Sequence, residues 1–379
     1  MRILHLADLH LGKIFHDVHL TDDQAHILNQ IVQIVRDHRV DVVTISGDVY
    51  DRSVPPVQAT VVMDEFLSRL LIDLGVKVIL APGNHDSAER LAFAGRLVSQ
   101  RGLYISPALP GTVLPIQLED QYGPVTFYPI PYVEPFMLRK SLDDPEISDF
   151  DDAMERVIGS LELNPGRSVC LAHCFTQGGE TSESERPLSI GGSSMVATSH
   201  FQRFDLTLLG HLHRPQKIGE RIFYAGSPLK YSFSESSHIK LVSIYDLAAD
   251  GSFTRENIPL VPLREVRTMK GDLADILAAA EQDPGRDDYL WVELTDRGAL
   301  FDYSAKIRAV YPNVLNITRA EYQREGGGES AIELRNKSES EIVASFFRHV
   351  SGEELNEAEQ AVMQSVLDEM LRSTDGGTP

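Results

Sequence analysis

The sequence predicts an α/β fold in which two β-sheets pack as a sandwich flanked by helices. In the first part of the chain, short apolar runs with the length of buried strands alternate with stretches of helical periodicity. Further strand-like runs lie at 125–132, 169–173, 206–210, 221–225 and 240–246. A second sheet packed on the first is the arrangement that buries both sets of runs.

The helices and loops around the first sheet are predicted from the spacing of apolar residues and from the Pro and Gly residues that begin and end helices. Residues 22–38 have the spacing of a helix that joins two strands in βαβ order. The Pro-Pro pair at 55–56 opens a second helix that is expected to end at Gly75. A third helix is predicted over 88–100. The Gly- and Ser-rich segment 175–203 is long for a loop, so we expect it at the rim of a functional site.

A second α/β unit is predicted from residue 263 onward, because strands and helices alternate there anew. Three glycines at 326–328 end this unit, and two amphipathic helices follow at 340–349 and 357–372. The predicted domains are therefore a main domain at 1–262, a small α/β domain at 263–325, and a C-terminal region at 326–379 with a Gly linker, a helix pair and a tail.

The composition is that of a soluble globular protein, with 42% hydrophobic residues and without an apolar stretch of about 18 residues that could span a membrane. His5, Asp8 and His10 interrupt the apolar N-terminus, so no signal peptide is expected. Cys170 and Cys174 are expected to be buried apolar residues, which fits the cytoplasm. The formal charge of −21 weakens the hypothesis of a simple nucleic-acid binder, whose usual sign is a basic patch.

The chain is organised around 81–86, where Ala-Pro-Gly-Asn-His-Asp follows a predicted buried strand. Chain that leaves the carboxyl end of such a strand reaches the crevice where α/β proteins hold ligands. Four other predicted strands end in residues of the same chemical kind. They lead into 8–10 (Asp-Leu-His), 47–52 (Gly-Asp-Val-Tyr-Asp-Arg), His173, and 210–213 (Gly-His-Leu-His).

These five strand ends offer two carboxylates, one amide oxygen and four imidazoles. Seven oxygen and nitrogen ligands, with one carboxylate bridging, are what two adjacent divalent cations require. The Asp-x-His and His-x-His spacings place both members of each pair on one side of an extended segment. The sequence therefore predicts a two-metal site made of Asp8, His10, Asp48, Asn84, His173, His211 and His213.

The ordered set of motifs resembles the signature of the calcineurin-like metallophosphoesterases, and every position of that signature is filled here. The resemblance implies that one metal is held by Asp8, His10, Asp48 and His213. It implies that the other is held by Asp48, Asn84, His173 and His211, so that Asp48 bridges the two. It also implies that His85 is the catalytic imidazole rather than a ligand.

Beyond the metal motifs, nearly the whole chain resembles the SbcD nuclease subunits of double-strand-break repair. The shared stretches include 1–12, Pro-Ile-Pro at 129–131 and Ala-Gly-Ser-Pro-Leu at 225–229, and 270–274 resembles the start of that family's capping domain. The resemblance implies a metal-dependent DNA nuclease, exonucleolytic on double strands and endonucleolytic on single strands and hairpins. It also implies two divalent ions, Mn²⁺ by analogy, and an SbcC ATPase as partner.

Three residues near the motifs are candidates for supporting roles. Asp51 and Arg52 resemble the phosphatase form of the second motif, which implies that Asp51 orients His85 and that Arg52 contacts phosphate. Archaeal relatives carry a histidine at the position of Asp51, so an arrangement with two catalytic histidines does not carry over. Arg52 is equally compatible with a solvated loop cation. His16 is a candidate for substrate contact because it closely follows the first motif.

Two interaction surfaces are expected. The family resemblance places a two-fold homodimer on the helices at 57–72 and 89–100, an arrangement in which both active sites face one DNA. The C-terminal segment Ser340–Arg372 is expected to dock the SbcC ATPase. Its two helices are short enough to be marginal alone in water, so their apolar faces must pack on something.

Two rival functions remain open from the residues. A phosphomonoesterase or cyclic-nucleotide phosphodiesterase on the same fold suits the acidic balance, but it has no obvious need for the added α/β domain and tail helices. A scaffold that keeps the fold without the reaction would usually have lost ligands or the catalytic histidine, and here all are present. The sequence does not determine cleavage polarity, the metal used in the cell, or how ATP controls access.

Overall fold

The structure is a computed structural model that describes residues 1–109, 113–185, 194–296, 298, 300–320, 339–351 and 354–374. The chain divides into two compact units, 1–267 and 268–379. The glycines at 326–328 of the predicted linker lie outside the described residues. Within the part of the chain that is described, no helix is both long and apolar enough to cross a membrane.

Within the described residues, strands form two large sheets and two two-stranded sheets in the first unit, and a three-stranded sheet that begins at the boundary with the second. In chain order they are β1 (Arg2–Leu6), β2 (Ile14–Phe15), β3 (Val18–His19), β4 (Val42–Ser46), β5 (Lys77–Ala81), β6 (Leu103–Ile105), β7 (Ile116–Asp120), β8 (Gly123–Pro129), β9 (Arg167–His173), β10 (Phe175–Thr176), β11 (Met195–Val196), β12 (Leu206–Gly210), β13 (Gln216–Ile218), β14 (Ile222–Tyr224), β15 (Leu241–Leu247), β16 (Phe253–Pro259), β17 (Val266–Gly271), β18 (Tyr289–Leu294) and β19 (Val314–Arg319).

Helices connect and cover these strands. In chain order they are α1 (Thr21–Asp37), α2 (Val57–Ser68), α3 (Ala88–Leu91), α4 (Gly95–Val98), α5 (Pro135–Leu142), α6 (Phe150–Gly159), α7 (Leu273–Ala279), α8 (Tyr303–Val310), α9 (Glu339–Ser351) and α10 (Glu357–Thr374). Helix α2 continues as a π-helical segment at Arg69–Asp73, and short 3₁₀ helices lie at Ser99–Arg101, Thr198–Arg203 and Phe233–Glu235.

The first unit is the predicted sandwich of two sheets. One sheet has the strand order β16-β15-β1-β4-β5-β6, in which β1, β4, β5 and β6 are parallel and β15 and β16 are antiparallel additions at one edge. The other sheet has the order β13-β14-β12-β9-β8-β7, in which the four central strands are parallel and the two outer ones antiparallel. The fold class that the sequence predicts is thereby confirmed.

A hydrophobic core fills the space between the two sheets. Successive side chains of a strand point to opposite faces, so each strand of the second sheet contributes to two clusters. In β9, Val169 and Leu171 belong to the core between the sheets, whereas Cys170 and Ala172 belong to the cluster that helix α6 covers. Cys170 and Cys174 are both buried and free of disulfide, as the sequence predicts. This second sheet is therefore covered on both faces, which suits its parallel centre.

The parallel strands of the two sheets end at one edge of the sandwich. In the first sheet Ser46 is paired with Ala81, and in the second His173 is paired with Gly210. The hydroxyl of Ser46 donates a hydrogen bond across the sandwich to the carbonyl of Leu208, at 2.9 Å. The loops that carry the five motifs therefore leave the sheets side by side.

The helices of the first unit differ from the sequence prediction in two respects. The helix predicted over 88–100 is broken, because Ala94 has a left-handed φ of 59° that ends one short helix and begins the next. Helices α5 and α6 were not predicted, although both carry start signals in the sequence. Pro135 occupies the first position of α5, and the Asp149 carboxylate caps α6 by accepting from the backbone N–H groups of Asp151 and Asp152.

The second unit has a small sheet with the order β17-β18-β19, on which helices α7 and α8 pack. Its core contains Leu290, Val292 and Leu294 of β18 together with Ile307 of α8. The other two helices of the unit, α9 and α10, form a pair at the C-terminal end.

Helix α10 begins with a capping box. The Asn356 side chain accepts from the backbone N–H groups of Ala358 and Glu359, both at 3.0 Å, and the Glu359 carboxylate accepts from the Asn356 backbone N–H at 2.9 Å. Three backbone donors that the helix itself leaves unpaired are satisfied in this way.

Candidate metal centre

Glycines let the motif loops approach one another more closely than other residues could. Gly47 follows β4 with φ of 90°, and a Cβ there would lie 2.2 Å from His173 Nδ1. At Gly83, which follows β5, a Cβ would lie 2.2 Å from Asp48 Oδ1. Both distances are well below a van der Waals contact. The second and third motifs therefore require glycine because the polar groups of neighbouring loops occupy the space of a side chain.

Backbone strain is concentrated in the residues that carry the polar groups. Asp8, His10, Asp48 and His211 have φ values of 54°, 45°, 51° and 104°, in the left-handed region that residues with a Cβ rarely adopt. Each such residue costs on the order of 1–3 kcal/mol and persists only where the surrounding structure enforces it. The rigid edge of the sandwich thus holds these side chains in orientations that a free loop would not adopt.

The structure brings the predicted ligands together. Among the residues that the structure describes, three overlapping groups of His and Asp side chains have ligand atoms within 4.8 Å of one another: Asp8, His10 and His213; His10, Asp51 and His85; and Asp8, Asp48 and His173. Asn84 joins them, because its Oδ1 lies 2.9 Å from His173 Nε2. The ring of His211 lies edge-on to that of His173, with centroids 5.4 Å apart. All seven predicted ligands therefore lie in one place.

Asp48 lies at the centre of this cluster. One of its carboxylate oxygens, Oδ2, is 3.4 Å from His173 Nε2, 3.6 Å from His10 Nε2 and 3.9 Å from His85 Nε2. The other oxygen, Oδ1, accepts the backbone N–H of His85 at 2.8 Å. A single carboxylate that faces imidazoles from different loops has the position that a bridging ligand needs.

The first and last motifs meet on the other side of Asp8. Both oxygens of the Asp8 carboxylate accept the backbone N–H of His211, at 3.0 and 3.1 Å. The Nε2 atoms of His10 and His213 face each other at 3.1 Å. Two ring nitrogens at this distance require a proton or a cation between them, because two lone pairs would repel.

Burial and neighbouring charge shift the ionisation of these groups in opposite directions. Burial raises the pKa of Asp8 to about 7 and lowers the pKa of His211 to about 3. Burial alone would also raise the pKa of Asp48, but the charge and hydrogen bond of His173 and the charges of His10 and His85 together outweigh burial and hold that pKa well below its usual range. The same pairing raises the pKa of His173 to about 9 against the effect of burial. The protein thus holds an ionised carboxylate among imidazoles inside a buried site.

These groups suit divalent metal ions. Asp8 and Asp48 are buried with 0% and 2% of their surface exposed, and buried carboxylates are stable only when paired or coordinated. The Nδ1 atom of His10 is also buried without a hydrogen-bond partner. The cluster contains oxygen and nitrogen donors and no thiolate, a set that Mn²⁺, Fe, Co and Zn accept.

His85 is held with one ring nitrogen toward the cluster. Its Nδ1 donates to the backbone carbonyl of Asp51 at 2.8 Å, so the Nε2 atom is the one that points to Asp48. The carboxylate of Asp51 is nearby but faces other groups, because its Oδ1 lies 2.9 Å from Lys13 Nζ and 3.6 Å from His10 Nδ1. The contact between Asp51 and His85 therefore runs through the main chain and not through the carboxylate.

Arg52 and His16, the two predicted substrate contacts, do not join the cluster of ligand atoms. The Arg52 side chain is 62% exposed, with Nε 3.8 Å from the Asp51 carboxylate. His16 is exposed, and its ring packs against Phe15 and Phe233 with centroids 4.9 and 5.4 Å away.

Several supporting residues escaped the sequence analysis. The Asp86 carboxylate accepts the backbone N–H groups of Val49, Tyr50 and Gly83 at 2.9 to 3.1 Å, and so ties the second motif to the third. Burial, followed by the charge of Asp48, raises the pKa of Asp86 to about 7. Its position at the end of Gly-Asn-His-Asp is a signal that the sequence does contain.

The first motif is clamped by a side chain with no local signal. Buried Gln24 of α1 accepts the backbone N–H of Gly12 at 3.0 Å and donates to the carbonyls of Leu9 and His10 at 3.2 and 2.7 Å. The hydroxyl of Tyr231 donates to the same Leu9 carbonyl at 2.5 Å. Nothing in the local sequence distinguishes this glutamine from any other polar residue of an amphipathic helix.

Comparison with known proteins identifies the family. A family model described as "Calcineurin-like phosphoesterase" matches residues 1–215, and a second, described as "Type 5 capsule protein repressor C-terminal domain", matches residues 259–351. The SbcD subunit of the SbcCD nuclease from Staphylococcus epidermidis is 31% identical over 98% of this chain and 99% of that protein. The chain belongs to the SbcD family of calcineurin-like phosphoesterases. The resemblance seen in the motifs is thereby confirmed.

Solved structures similar to this SbcD-family chain include a dimetal phosphatase from Danio rerio, with a TM-score of 0.41 and 12% identity over 69% of this chain and 98% of that one. They also include the protein TT1561 of Thermus thermophilus, with a TM-score of 0.38 and 13% identity over 68% and 98% of the two chains. Membership of the calcineurin-like phosphoesterases makes the protein a metal-dependent enzyme of phosphoester hydrolysis, and the clustered His and Asp side chains are its candidate ligands.

The substitution Gly83→Ala tests how tightly the motif loops are packed. The added methyl group would lie 2.2 Å from Asp48 Oδ1, so we expect the carboxylate to be displaced and the binding of divalent metal to weaken. Overpacking of this kind typically costs about 1–3 kcal/mol of folding stability. Thermal unfolding with and without added Mn²⁺ measures both effects.

The matched control is Gly159→Ala in helix α6, where a new Cβ meets nothing within 4 Å. This control is expected to leave stability unchanged or to raise it by up to about 1 kcal/mol. Equal melting temperatures and equal Mn²⁺ stabilisation in the two variants would show that close packing is not the reason for glycine at position 83.

Proposed function

We propose that the protein is the DNA nuclease subunit of an SbcCD-type complex. It would hydrolyse phosphodiester bonds as an exonuclease on double strands and as an endonuclease on single strands and hairpins, in DNA repair and recombination. The observation that carries the proposal is the complete cluster of seven ligand side chains, in a chain that matches a nuclease subunit over 98% of its length. If the protein were a phosphatase that acts on small molecules, the similarity of its second unit to that of a nuclease subunit would have no explanation.

The geometry supports a particular division of the ligands. One divalent ion would be held by Asp8, His10, Asp48 and His213, and the other by Asp48, Asn84, His173 and His211. The facing Nε2 atoms of His10 and His213 support the first set, and the contact of Asn84 with His173 supports the second. Mn²⁺ is the proposed ion by analogy with the family, and the oxygen and nitrogen donors are compatible with it. Two such ions polarise the phosphoryl oxygens and activate the nucleophile.

His85 is proposed as the general acid. The Asp51 carbonyl accepts from Nδ1, which leaves Nε2 directed toward the cluster, where a proton is needed on the departing 3′ oxygen. A general acid positioned in this way typically raises the reaction rate about 10²–10⁴-fold. Asp51 would orient the ring through its main-chain carbonyl, while its carboxylate pairs with Lys13. Arg52, exposed at the rim, would contact a phosphate of the substrate, and His16 would line its path.

Each predicted domain is proposed to have a separate role. Residues 1–262 would form the nuclease domain, 263–325 the capping domain, and 326–379 the linker and the helices that bind the partner. The formal charge of −21 leaves little general attraction for DNA. The ATPase partner would therefore supply much of the grip on the duplex.

Substitution of His85 and Asp48 separates proton transfer from metal binding. His85→Ala is expected to abolish DNA cleavage with metal content intact, whereas Asp48→Ala is expected to lose both, because its carboxylate serves both ions. The measurements are metal content of the purified chain and digestion of linear duplex and hairpin DNA in Mn²⁺, with and without the co-expressed ATPase. The exposed imidazole of His19 provides the control, His19→Ala.

Loss of one equivalent of metal in His85→Ala would contradict the assignment of roles. Hydrolysis of p-nitrophenyl phosphate by the wild-type protein, with no cleavage of either DNA, would establish a phosphomonoesterase instead.

Helices α9 and α10 are proposed as the docking site for SbcC. Together they line an apolar groove of about 620 Å³ whose walls include Val343, Phe347, Val362, Met363, Val366 and Leu367. Val362 and Val366 are 65% and 51% exposed, so the groove presents neighbouring apolar side chains of α10 to solvent. A helix laid into this groove would cover them. The side chains of Ile342, Phe346, Met370 and Leu371, which the sequence also assigns to these apolar faces, lie outside the described residues.

A charge in the groove is expected to break this contact. Val366→Asp should abolish co-purification of the ATPase and ATP-dependent degradation of duplex ends, and leave Mn²⁺-dependent cleavage of single strands unchanged. Ser365→Asp adds the same charge to the neighbouring position of α10, which does not line the groove, and should retain the partner. Full recovery of the ATPase with Val366→Asp would place the docking surface elsewhere.

The proposed homodimer uses the outer face of α2 and of the segment 88–101. Val57 and Val61 of α2 are 73% and 49% exposed, and Phe93 and Leu97 are 83% and 71% exposed. Phe66 and Leu70, which the sequence assigns to the same region, are buried within their own unit. The exposed residues remain as an apolar surface that a second copy of the chain would cover in a two-fold pairing.

Phe93→Asp is expected to convert this dimer to a monomer, because a charge would be buried at the pairing surface. Light scattering at micromolar concentration measures the mass of the species in solution. The control is Phe301→Asp in the second unit, which changes a phenylalanine that is 85% exposed and lies outside the proposed surface. A monomeric wild-type protein would refute the pairing.

A further inference from the structure

The second ring nitrogen of His213, one of the proposed ligands, meets a buried polar network from another part of the chain. This nitrogen, Nδ1, lies 2.6 Å from the hydroxyl oxygen of Ser184, in the long segment 175–203 that precedes the last motif. The same hydroxyl donates to Glu235 Oε1. Glu235 has 0% of its surface exposed, which is rare for a carboxylate without a partner of opposite charge.

That partner is Lys240. Its ammonium group donates to Glu235 Oε2 at 2.5 Å, to the Ser227 hydroxyl at 2.8 Å and to the backbone carbonyl of His213 at 2.7 Å. An ammonium has three donors and no acceptor, so these contacts use all of them. Lys240 therefore touches the main chain of His213 directly and reaches its ring through Glu235 and Ser184.

The same network explains the Ala-Gly-Ser-Pro-Leu motif at 225–229. The Ser227 hydroxyl accepts from Lys240 and donates to the Leu229 carbonyl at 2.7 Å. The backbone N–H of Ser227 donates to the His213 carbonyl at 3.1 Å. Gly226 has φ of 72°, and a Cβ there would lie 2.8 Å from that carbonyl oxygen. The motif therefore packs directly beneath the loop that carries His213.

The direction of the hydrogen bonds determines the tautomer of the imidazole. The Glu235 carboxylate is paired with an ammonium and can only accept hydrogen bonds. The Ser184 hydroxyl therefore donates its one proton to Glu235. The hydroxyl then has only lone pairs to offer to Nδ1 of His213, which must carry the ring proton. The lone pair of the ring is left on Nε2, the atom that faces His10 at 3.1 Å.

We propose that Ser184, backed by the buried Glu235–Lys240 pair, is a positioning residue that holds His213 as the Nδ1–H tautomer with its Nε2 lone pair directed into the metal centre. The inference rests on the proposed function, because it takes His213 as a metal ligand. When the other nitrogen of a ligand histidine is held by such a partner, the ring is already oriented and loses less conformational freedom when it binds the metal. The loop that contains Ser184 thereby becomes part of the metal site.

Metal affinity of the full chain tests the proposal. After chelation, calorimetric titration with Mn²⁺ is expected to show one site weakened about 10- to 100-fold in Ser184→Ala. Ser184→Thr, which keeps the hydroxyl, should restore it. The matched control is Ser234→Ala, because the Ser234 hydroxyl accepts from the backbone N–H of Glu183 at 3.2 Å and so holds the same loop without the imidazole.

His213→Ala separates failure of this inference from failure of the ligand assignment. If His213→Ala loses one site while Ser184→Ala binds Mn²⁺ within about twofold of wild type, the positioning role is overturned and the ligand assignment stands. If His213→Ala retains both sites at full affinity, the ligand assignment fails and the positioning role falls with it.

A second measurement determines the tautomer in the wild-type protein itself and uses a variant only to assign the signal. Nitrogen NMR of the metal-free, histidine-labelled wild-type protein distinguishes a protonated Nδ1 from a protonated Nε2, with the His213 signal assigned by its loss in His213→Asn. The proposal requires the proton on Nδ1. A proton on Nε2 would overturn it.

Discussion

The position of one buried carboxylate, that of Asp48, is the constraint on which the rest of the site depends. Its Oδ2 lies within 4 Å of three imidazole nitrogens, and its Oδ1 accepts the backbone N–H of the residue after Asn84. An isolated charge in this position would cost several kcal/mol. Glycine at 47 and 83, left-handed backbone at Asp48 itself, and the Asp86 carboxylate beneath the two loops all serve to keep it there.

The sandwich supplies the rigidity that this arrangement requires. Left-handed residues at the ends of β1, β4 and β12 would relax if their strands could move, and each stores on the order of 1–3 kcal/mol. The ends of these strands are buried and pair in parallel with a neighbouring strand, and the two sheets are linked by hydrogen bonds such as that from the Ser46 hydroxyl to the Leu208 carbonyl. A hydrophobic core on both faces of the second sheet offsets the local strain and leaves the site pre-organised.

The two units differ in where they place their polar and apolar groups. In the first unit the polar groups with the largest cost of burial lie inside, in the metal cluster and in the Glu235–Lys240 pair behind His213. In the second unit the C-terminal helices present an apolar groove to solvent. Buried polar groups that need a cation are typical of a catalytic site. Exposed apolar groups that need another surface to cover them are typical of a site of assembly. The acidic charge of the chain is consistent with a protein that relies on bound cations and a partner rather than on a basic face.

The sequence by itself determined the strands and the chemistry of their ends. Runs such as 42–46 and 206–210 are buried throughout, and residue type and spacing within a few positions are enough to recognise both a buried strand and a metal ligand. Local pattern did not determine the helix over 88–100, because Ala94 adopts a left-handed conformation that ordinary periodicity does not signal.

Only the tertiary structure decided which groups support the ligands. The Asp51 carbonyl orients His85, Gln24 clamps the first motif, and Lys240 and Ser184 both contact His213. Each of these contacts joins residues 14 to 34 positions apart in the chain. Such contacts depend on the path of loops and on which sheet edge each loop meets. Gln24, Ser184, Glu235 and Lys240 are of types common on any surface, so nothing in the local sequence distinguishes them until the fold brings them together. The motif did mark Asp51, but it did not indicate that the main-chain carbonyl makes the contact.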